Sequence, residues 1–310
     1  MNEDKGREKS LGSLLGAATG DALGAGFEGM YGEEPCVIEA YAEDREILRY
    51  TDDTHMMIGL AESLIEKKGF EGEHMAYTFM QNYRLEPWRG YGPGPPRLFR
   101  LMEQGYHWEA VAEMVYRGGS YGNGSAMRVA PVGVLYEGDP VSTRDIAYKT
   151  SNITHSHPLG REGAALQALA VSFAMSQDPG DTFSHNDFIA NIAKWAVDNI
   201  YRKKLHLIAA LLSCSEKEII ITQLGNTIEA FNSVPAALYS FLLHPFSYHD
   251  AVLYAVSLGG DTDTIGAMTG AISGAFLGID AIPWQWRVKL ENRTYIGELA
   301  LKLWSLKKGI

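Results

Sequence analysis

Hydrophobic residues recur along this chain mainly with the spacing of an α-helix. After residue 51 they fall on one face of a predicted helix that ends at a Lys-Lys-Gly sequence, namely at Met57, Leu60, Ala61, Leu64 and Ile65. Similar apolar stripes occupy residues 108–116, 163–175, 188–200, 204–212, 234–243 and 251–258. The dominant pattern therefore predicts a protein built mainly of helices with one buried face.

Glycine recurs at every fourth residue in two of the predicted helices. The first helix carries Gly12, Gly16 and Gly20, and the second carries Gly266, Gly270, Gly274 and Gly278. An interior glycine costs a helix about 1 kcal/mol relative to alanine. Small residues four apart, however, allow another backbone to come close. We therefore expect the second helix to be central and tightly surrounded.

Strand signals are few. Residues 36–42 and 251–258 have the composition of short strands, but neither segment is followed by a hairpin turn or a β-α-β alternation. Pro235 is expected in the first turn of its helix, where the missing N–H costs nothing. No change of composition marks a domain boundary. The predicted fold class is all-α, with residues 1–310 in a single domain.

Composition and charge exclude several classes of protein. The formal net charge is -11, and no block of basic residues exists that would bind nucleic acid without sequence preference. Two cysteines, Cys36 and Cys214, are too few for a disulfide framework. The charged start MNEDKGREKS precedes no apolar signal segment, and no apolar run approaches the length of a membrane span. We expect a cytoplasmic protein with no membrane partner.

Two segments place paired acids at the start of a predicted helix. Asp52 and Asp53 lie in YTDDTHM, and Asp261 and Asp263 lie in GGDTDTIG. A helix start favours carboxylates, but a cap needs only one of them. If the two starts meet, four carboxylates repel each other unless cations neutralise them, and oxygen ligands suit Mg²⁺, Mn²⁺ or Ca²⁺. The alternative is that each pair is a cap and a solvated acid.

Other candidate residues are open to two interpretations. Glu28, among Gly24, Gly26 and Gly29, is either a loop acid or a mobile carboxylate that covers a site. The glycine-rich segment 117–133 is a weak candidate for an anion-binding nest of backbone N–H groups.

Arg128 and the doublet His249-Asp250 also have two interpretations each. Arg128, in that segment, would contact phosphate or pair with a structural acid. A His-Asp doublet such as His249-Asp250 also occurs in all-α metal phosphohydrolases, although Asp250 equally suits a helix cap.

Taken together, five segments resemble the ADP-ribosylglycohydrolase family, including its dinitrogenase reductase-activating and poly(ADP-ribose)/ADP-ribosyl-serine hydrolase branches. They are GAATGDALGAGFE, YTDDTHM, GSYGNGSAMRVAPVG, THSHP and GGDTDTIGAMTGAISGA, in the family's order between residues 16 and 275. The resemblance implies a compact orthogonal bundle of helices with a central binuclear metal cleft. It also implies a metal-dependent hydrolase that cleaves the glycosidic bond at C1″ of ADP-ribose, releasing ADP-ribose from a modified protein or a related conjugate.

The resemblance assigns roles to individual residues. It implies two Mg²⁺ ions, or Mn²⁺, held by Thr51, Asp52, Asp53, Asp261, Asp263 and Thr264. Catalysis would rest on Glu28, Asp52 and Asp263, with Glu28 on a loop that gates the cleft. The substrate would contact Gly119, Ser120, Tyr121, Gly122, Asn123 and His155, and Tyr116 is a candidate to stack on adenine.

The resemblance also bears on partners. The expected partner is ADP-ribose or an ADP-ribosylated protein, and nucleic acid enters only as an ADP-ribosylated substrate. A monomer is the default expectation. Two alternatives stay open: a non-catalytic ADP-ribose-binding member of the family, and a hydrolase of another nucleoside-linked substrate on the same scaffold.

Overall fold

The computed structural model describes residues 3–179, 183–214 and 216–309, which are helical almost throughout. These residues contain no β-strand, only two isolated bridges between extended pairs. The all-α prediction is confirmed. A short 3-10 turn, Ile279–Ala281, follows α15. The helices are α1 (Glu3–Gly24), α2 (Pro35–Asp44), α3 (Asp52–Lys67), α4 (Gly72–Leu85), α5 (Gly94–Glu103), α6 (Trp108–Val115), α7 (Ala130–Leu135), α8 (Pro140–Ser151), α9 (Pro158–Ser176), α10 (His185–Ala193), α11 (Asn199–Leu211), α12 (Lys217–Leu224), α13 (Ala230–Leu243), α14 (Tyr248–Ser257), α15 (Thr262–Leu277), α16 (Trp284–Lys289) and α17 (Arg293–Lys308).

The two glycine-rich helices, α1 and α15, pack against each other in antiparallel orientation. Gly20 faces Gly266, and a Cβ atom added to Gly20 would lie only 2.1 Å from the Gly266 carbonyl oxygen. Gly16 and Gly270 form the next such contact, where the added Cβ would lie 2.4 Å from the opposite carbonyl oxygen. The glycines are therefore required for close packing of the two backbones, and α15 is buried over nearly its whole length, as the spacing predicts.

This packing brings the end of α1 to the start of α15. The Thr262 hydroxyl donates to the Gly24 carbonyl oxygen at 2.8 Å. A Cβ on Gly24 would lie 2.5 Å from the Asp263 Cα. The close approach fixes where the loop after α1 meets the acids of the second pair.

Both segments with strand-like composition are helical, so that interpretation was wrong. Residues 36–42 lie in α2, which Pro35 begins and which buries Ile38 and Ala42 four residues apart on one face. Residues 251–258 fall almost wholly in α14. The predicted stripe 188–200 is also two helices, because Asp198 caps a new one by accepting from the Ile200 N–H at 2.8 Å.

Pro235 lies in the interior of α13, not in its first turn. A proline there leaves the carbonyl of Phe231, four residues earlier, without its helical donor. The Lys204 Nζ, from α11, donates to that oxygen at 2.8 Å and to the Leu224 carbonyl oxygen at 2.8 Å. A side chain of another helix therefore replaces the lost hydrogen bond.

Among the described helices, none is long and apolar enough to cross a bilayer.

Candidate active site

The first acid pair is organised by a third aspartate, Asp21, from the last turns of α1. Its fully buried carboxylate accepts from the N–H and hydroxyl of Thr51 at 3.0 and 2.9 Å and from those of Thr54 at 3.0 and 2.6 Å. Burial raises the Asp21 pKa to about 6, against the effect of these hydrogen bonds. Because Asp21 satisfies the start of α3, neither Asp52 nor Asp53 is needed for it.

Asp52 and Asp53 are thereby free to face the cleft. Asp53 is buried, and its Oδ2 atom has no hydrogen-bond partner. Burial and the nearby Asp263 hold the Asp53 pKa well above its usual range. Burial and Asp21 raise the Asp52 pKa to about 7. An uncompensated buried carboxylate oxygen of this kind is costly unless a cation or a proton meets it.

The second acid pair follows a turn that only glycine adopts easily. Gly259 and Gly260 have φ of +69° and +71°, and a Cβ on Gly260 would lie 2.2 Å from the Asn226 carbonyl oxygen. Asp261 begins α15 but makes no side-chain cap. Asp263 accepts from the Thr264 N–H at 2.8 Å. The turn therefore directs both carboxylates toward the first pair.

Glu28 joins the second pair in one carboxylate cluster. Ligand oxygens of Glu28, Asp261 and Asp263 all lie within 4.8 Å of one another. The loop that carries Glu28 is tied to the turn before α15, since the Gly29 N–H donates to the Gly260 oxygen at 2.8 Å and the Gly260 N–H donates back to the Met30 oxygen at 3.0 Å.

The glycines before Glu28 serve mainly to pack the loop. A Cβ on Gly26 would lie 2.6 Å from the Tyr41 ring, and Gly24 lies against Asp263. The flexibility expected from Gly24 and Gly26 was therefore the wrong interpretation of these two residues. Gly29, at φ of +74°, does need glycine's freedom.

The donor set of this cluster fits a hard divalent cation. Burial, then Asp261, raises the pKa of both Asp263 and Glu28, and burial raises the pKa of Asp261. Cations neutralise such mutual repulsion, and the ligand atoms are oxygens without cysteine or clustered histidine. Asp53 adds the oxygen that lacks any partner.

The acids line a cavity of about 210 Å³. Its lining also includes uncharged polar residues and the apolar side chains of Tyr116, Leu98 and Ile228. The predicted site residues that line it are Glu28, Asp52, Asp53, Ser120, Gly122, Asn123, His155, Asp261, Asp263 and Thr264.

Three predicted site residues are not part of the cavity lining. The Thr51 hydroxyl is committed to Asp21. Gly119, at φ of +84°, packs on the backbone of His157. The Tyr121 ring packs edge-on against His157 at 5.5 Å between centroids and is half exposed.

The glycine-rich loop uses several of its own N–H groups within the protein. Gly119 donates to the Tyr116 oxygen at 2.7 Å, Gly122 to the Ser120 hydroxyl at 3.2 Å, and Asn123 to the Ile228 oxygen at 2.9 Å. These three groups therefore do not form the expected anion-binding nest.

The Asn123 side chain, which is buried, has a role that the sequence did not indicate. Its amide donates to the Asp261 carboxylate and, at 3.0 Å, to the Ser233 hydroxyl. Asn123 thereby orients one of the acids of the cluster.

His155 lines the same cavity, and Arg128 contacts two other lining residues, Met56 and Gly124. The His155 Nδ1 lies 2.7 Å from the Thr154 hydroxyl, and burial, assisted by Arg128, lowers its pKa to about 3, so the ring is neutral. Arg128 is fully buried and donates to the Gly124 and Thr150 carbonyl oxygens at 3.2 and 3.0 Å. None of these partners is an acid, so the predicted structural acid was wrong, whereas contact with a phosphate stays a prediction.

The His-Asp doublet does not belong to the acidic cluster. His249 lies 2.9 Å from Asp250 and 2.5 Å from Glu39, and it lines a different cavity, beside Trp286. Asp250 is also not the cap of α14, because Ser247 accepts from the Asp250 N–H at 3.1 Å. The phosphohydrolase interpretation of this doublet therefore has no support here.

Known proteins resemble this chain over nearly its full length. A family model described as ADP-ribosylglycohydrolase matches residues 2–309. The chain is 34% identical over 325 residues to ADP-ribosylhydrolase ARH3 of Homo sapiens, covering 91% of this chain and 88% of that protein. It is 36% identical over 324 residues to ADP-ribosylhydrolase ARH3 of Gallus gallus, covering 90% and 88%. A solved structure titled ADP-ribosylglycohydrolase-related protein complex matches with a TM-score of 0.76 at 25% identity, covering 98% of this chain and 99% of that one.

Fold and site together define an all-α protein whose carboxylate-lined cleft lies where two helix starts and a loop meet. The chain belongs to the ADP-ribosylglycohydrolase family. It is accordingly an enzyme that hydrolyses glycosidic bonds.

Proposed function

We propose that this enzyme hydrolyses the glycosidic bond at C1″ of ADP-ribose with the help of two divalent cations, Mg²⁺ or Mn²⁺. The product is ADP-ribose, released from a modified protein or a related conjugate. The observation that carries the proposal is the convergence of ligand oxygens of Glu28, Asp261 and Asp263 within 4.8 Å, near Asp53, whose Oδ2 has no hydrogen-bond partner.

Asp52, Asp53, Asp261 and Asp263 would hold the cations, with hydroxyl oxygens of Thr51 and Thr264 as further ligands. When bound, the cations would supply an activated water and neutralise charge near the sugar. The chain itself orients these ligands: Asp21 holds the start of α3, and Asn123 holds Asp261. Such support of ligands from behind is what keeps a metal site in one geometry.

Glu28 is the residue we assign to proton transfer. It lies in the cluster with Asp261 and Asp263, and burial and Asp261 raise its pKa above the usual range, as suits a carboxyl group that carries a proton. His155, which also lines the cavity, is neutral. With its proton on Nε2, the ring would accept a hydrogen bond at Nδ1 from the Thr154 hydroxyl and donate one from Nε2 into the cleft. That donor suits the diphosphate of the substrate.

The decisive experiment is a panel of defined conjugates: ADP-ribosyl-arginine, ADP-ribosyl-serine, poly(ADP-ribose) and O-acetyl-ADP-ribose, each assayed with Mg²⁺, Mn²⁺ or EDTA. We expect release of ADP-ribose from at least one conjugate with metal and none with EDTA. Binding of ADP-ribose without release from any conjugate would leave the non-catalytic alternative. Cleavage confined to other nucleoside conjugates would leave the second alternative.

The role of Glu28 has its own test. Glu28→Gln should lower turnover by roughly 10²- to 10⁴-fold, the range for a lost general acid or base, while Mn²⁺ binding is retained. Glu34→Gln, on the same loop but exposed and outside the cavity lining, is the matched control and should retain turnover. Full turnover by metal-loaded Glu28→Gln would remove Glu28 from the mechanism.

A further inference from the structure

The cleft lining has a charge balance that disfavours the proposed ligand. Among its lining residues, all within the described part of the chain, five are acids and none is lysine or arginine. Its histidine, His155, is neutral. A diphosphate carries about two negative charges, and a cleft lined by carboxylates repels it. Two divalent cations, with four positive charges, would not offset the five carboxylates and the diphosphate together.

Arg128 is a buried positive charge that contacts two residues of the cleft lining, Met56 and Gly124. The three groups that accept from its guanidinium are the Met56 Sδ at 3.7 Å and the Gly124 and Thr150 carbonyl oxygens, none of which is charged. Its Nε has no hydrogen-bond partner. The guanidinium also lies over the Phe79 ring, with 4.7 Å to the centroid. Burial lowers its pKa to about 9, so it stays charged at neutral pH.

The contacts of Arg128 place this charge at the cleft. Gly124, which accepts from it, lines the cavity, and a Cβ on Gly124 would lie 2.6 Å from the His155 ring. The charges of Arg128 and Asp52 interact, and the Arg128 charge also lowers the pKa of His155. The guanidinium therefore lies next to the cleft, in contact with the lining residues Met56 and Gly124.

We propose that Arg128 holds the diphosphate of the substrate at the Gly124–His155 wall through its charge, without touching it. This inference rests on the proposed function. A buried charge in a region of low dielectric constant is weakly screened by salt, so it acts over more than contact distance. Burying it is costly unless other groups compensate it, and carbonyl oxygens and a ring do so only partly. A bound diphosphate completes the compensation.

The test compares two ligands that differ in the diphosphate. Dissociation constants for ADP-ribose and for adenosine are measured with saturating Mg²⁺ by calorimetry and ligand-observed NMR. Arg128→Met should weaken ADP-ribose binding by about tenfold or more, which is the effect of one lost charge interaction at an effective dielectric constant near 20, and should leave adenosine binding unchanged. Arg128→Lys, which keeps the charge, should restore the preference for ADP-ribose.

Controls separate this role from a purely structural one. Lys9→Met removes another buried cation on α1, about 18 Å along the helix from Asp21, and should change neither constant. If Arg128→Met does not fold, Arg128→Gln takes its place, since its amide keeps a donor for the carbonyl oxygens. Equal weakening of both ligands, or no weakening of ADP-ribose, would overturn the inference. Failure of the wild-type enzyme to bind ADP-ribose would instead overturn the proposed function.

Discussion

The glycine contact between α1 and α15 makes a sharp prediction for Gly20→Ala. The added Cβ would lie 2.1 Å from the Gly266 oxygen and 2.5 Å from its carbonyl carbon, whereas real Cβ contacts below 3.0 Å essentially never occur. Both atoms it meets belong to backbone, so no side chain can rotate away, and the helices must separate by about 1 Å.

The magnitude follows from two opposing terms. Alanine in a helix interior gains about 0.5–1 kcal/mol over glycine. Overpacking between two rigid elements costs about 1–3 kcal/mol or more, and here the strain is in the backbone. Because the overlap is with rigid backbone, we take the upper end of that cost and expect Gly20→Ala to lower the free energy of unfolding by about 2 kcal/mol. At an unfolding entropy of about 2.1 cal/mol/K per residue, this lowers Tm by roughly 3 °C for a chain of this size.

A matched substitution should have the opposite sign. Gly297 lies inside α17, and a Cβ there would meet only the Leu11 Cδ2 at 3.5 Å, an ordinary contact. Gly297→Ala should therefore raise stability by about 0.5–1 kcal/mol. Urea unfolding followed by circular dichroism measures both variants. A Gly20→Ala protein as stable as the wild type, or stabilised like Gly297→Ala, would refute the packing argument.

Three further predictions concern the acids and one half-buried lysine. Asp53→Asn should raise the Tm of the metal-free protein, because it removes a repelled buried charge, and should abolish the Tm gain from Mg²⁺; an undiminished gain would be contrary evidence. The pKa of Asp52 in the folded protein is raised to about 7, so its protonated form stabilises the fold. That contribution to stability is fully present below the pKa of Asp52 in the unfolded chain and is lost as the pH rises through its pKa in the folded protein. The Tm difference between Mg²⁺ and EDTA samples should therefore widen as pH rises from about 5 to 8, and a constant or shrinking difference would contradict this. Lys204→Met should lower the free energy of unfolding in urea by about 1–3 kcal/mol, because it leaves the Leu224 and Phe231 carbonyl oxygens without their donor. An unchanged urea midpoint would show that another group replaces Lys204.

Much of the framework could be predicted because its determinants are local in the sequence. The stop at residues 67–69 and the acids at two helix starts appear where the pattern predicts them, and so do the helical stripes except 188–200, which is two helices. The glycine spacing carried information about tertiary structure as well, since Gly16 and Gly270 are useful only if another backbone comes close. For these elements the local residue pattern is enough to predict the structure.

Other features depend on contacts between distant segments. Asp21 stands alone in a helix of small residues, thirty positions before Thr51, and only the packing shows that it holds the start of α3. A signal existed, since an acid inside a stripe of buried small residues needs a partner. Pro235 was misplaced because its replacement donor, Lys204, comes from another helix. The structural acid predicted as a partner of Arg128 was wrong because the guanidinium donates to the Gly124 and Thr150 carbonyl oxygens, which no pattern of side chains reveals.

The central claim is that two helix starts and the Glu28 loop enclose a pair of divalent cations. Anomalous diffraction from crystals grown with Mn²⁺ tests it directly. The account predicts two manganese peaks with carboxylate oxygens of Asp53, Asp261 and Asp263 at about 2.0–2.3 Å. Full-occupancy manganese bound elsewhere, with no peak between Asp53 and Asp261, would contradict it.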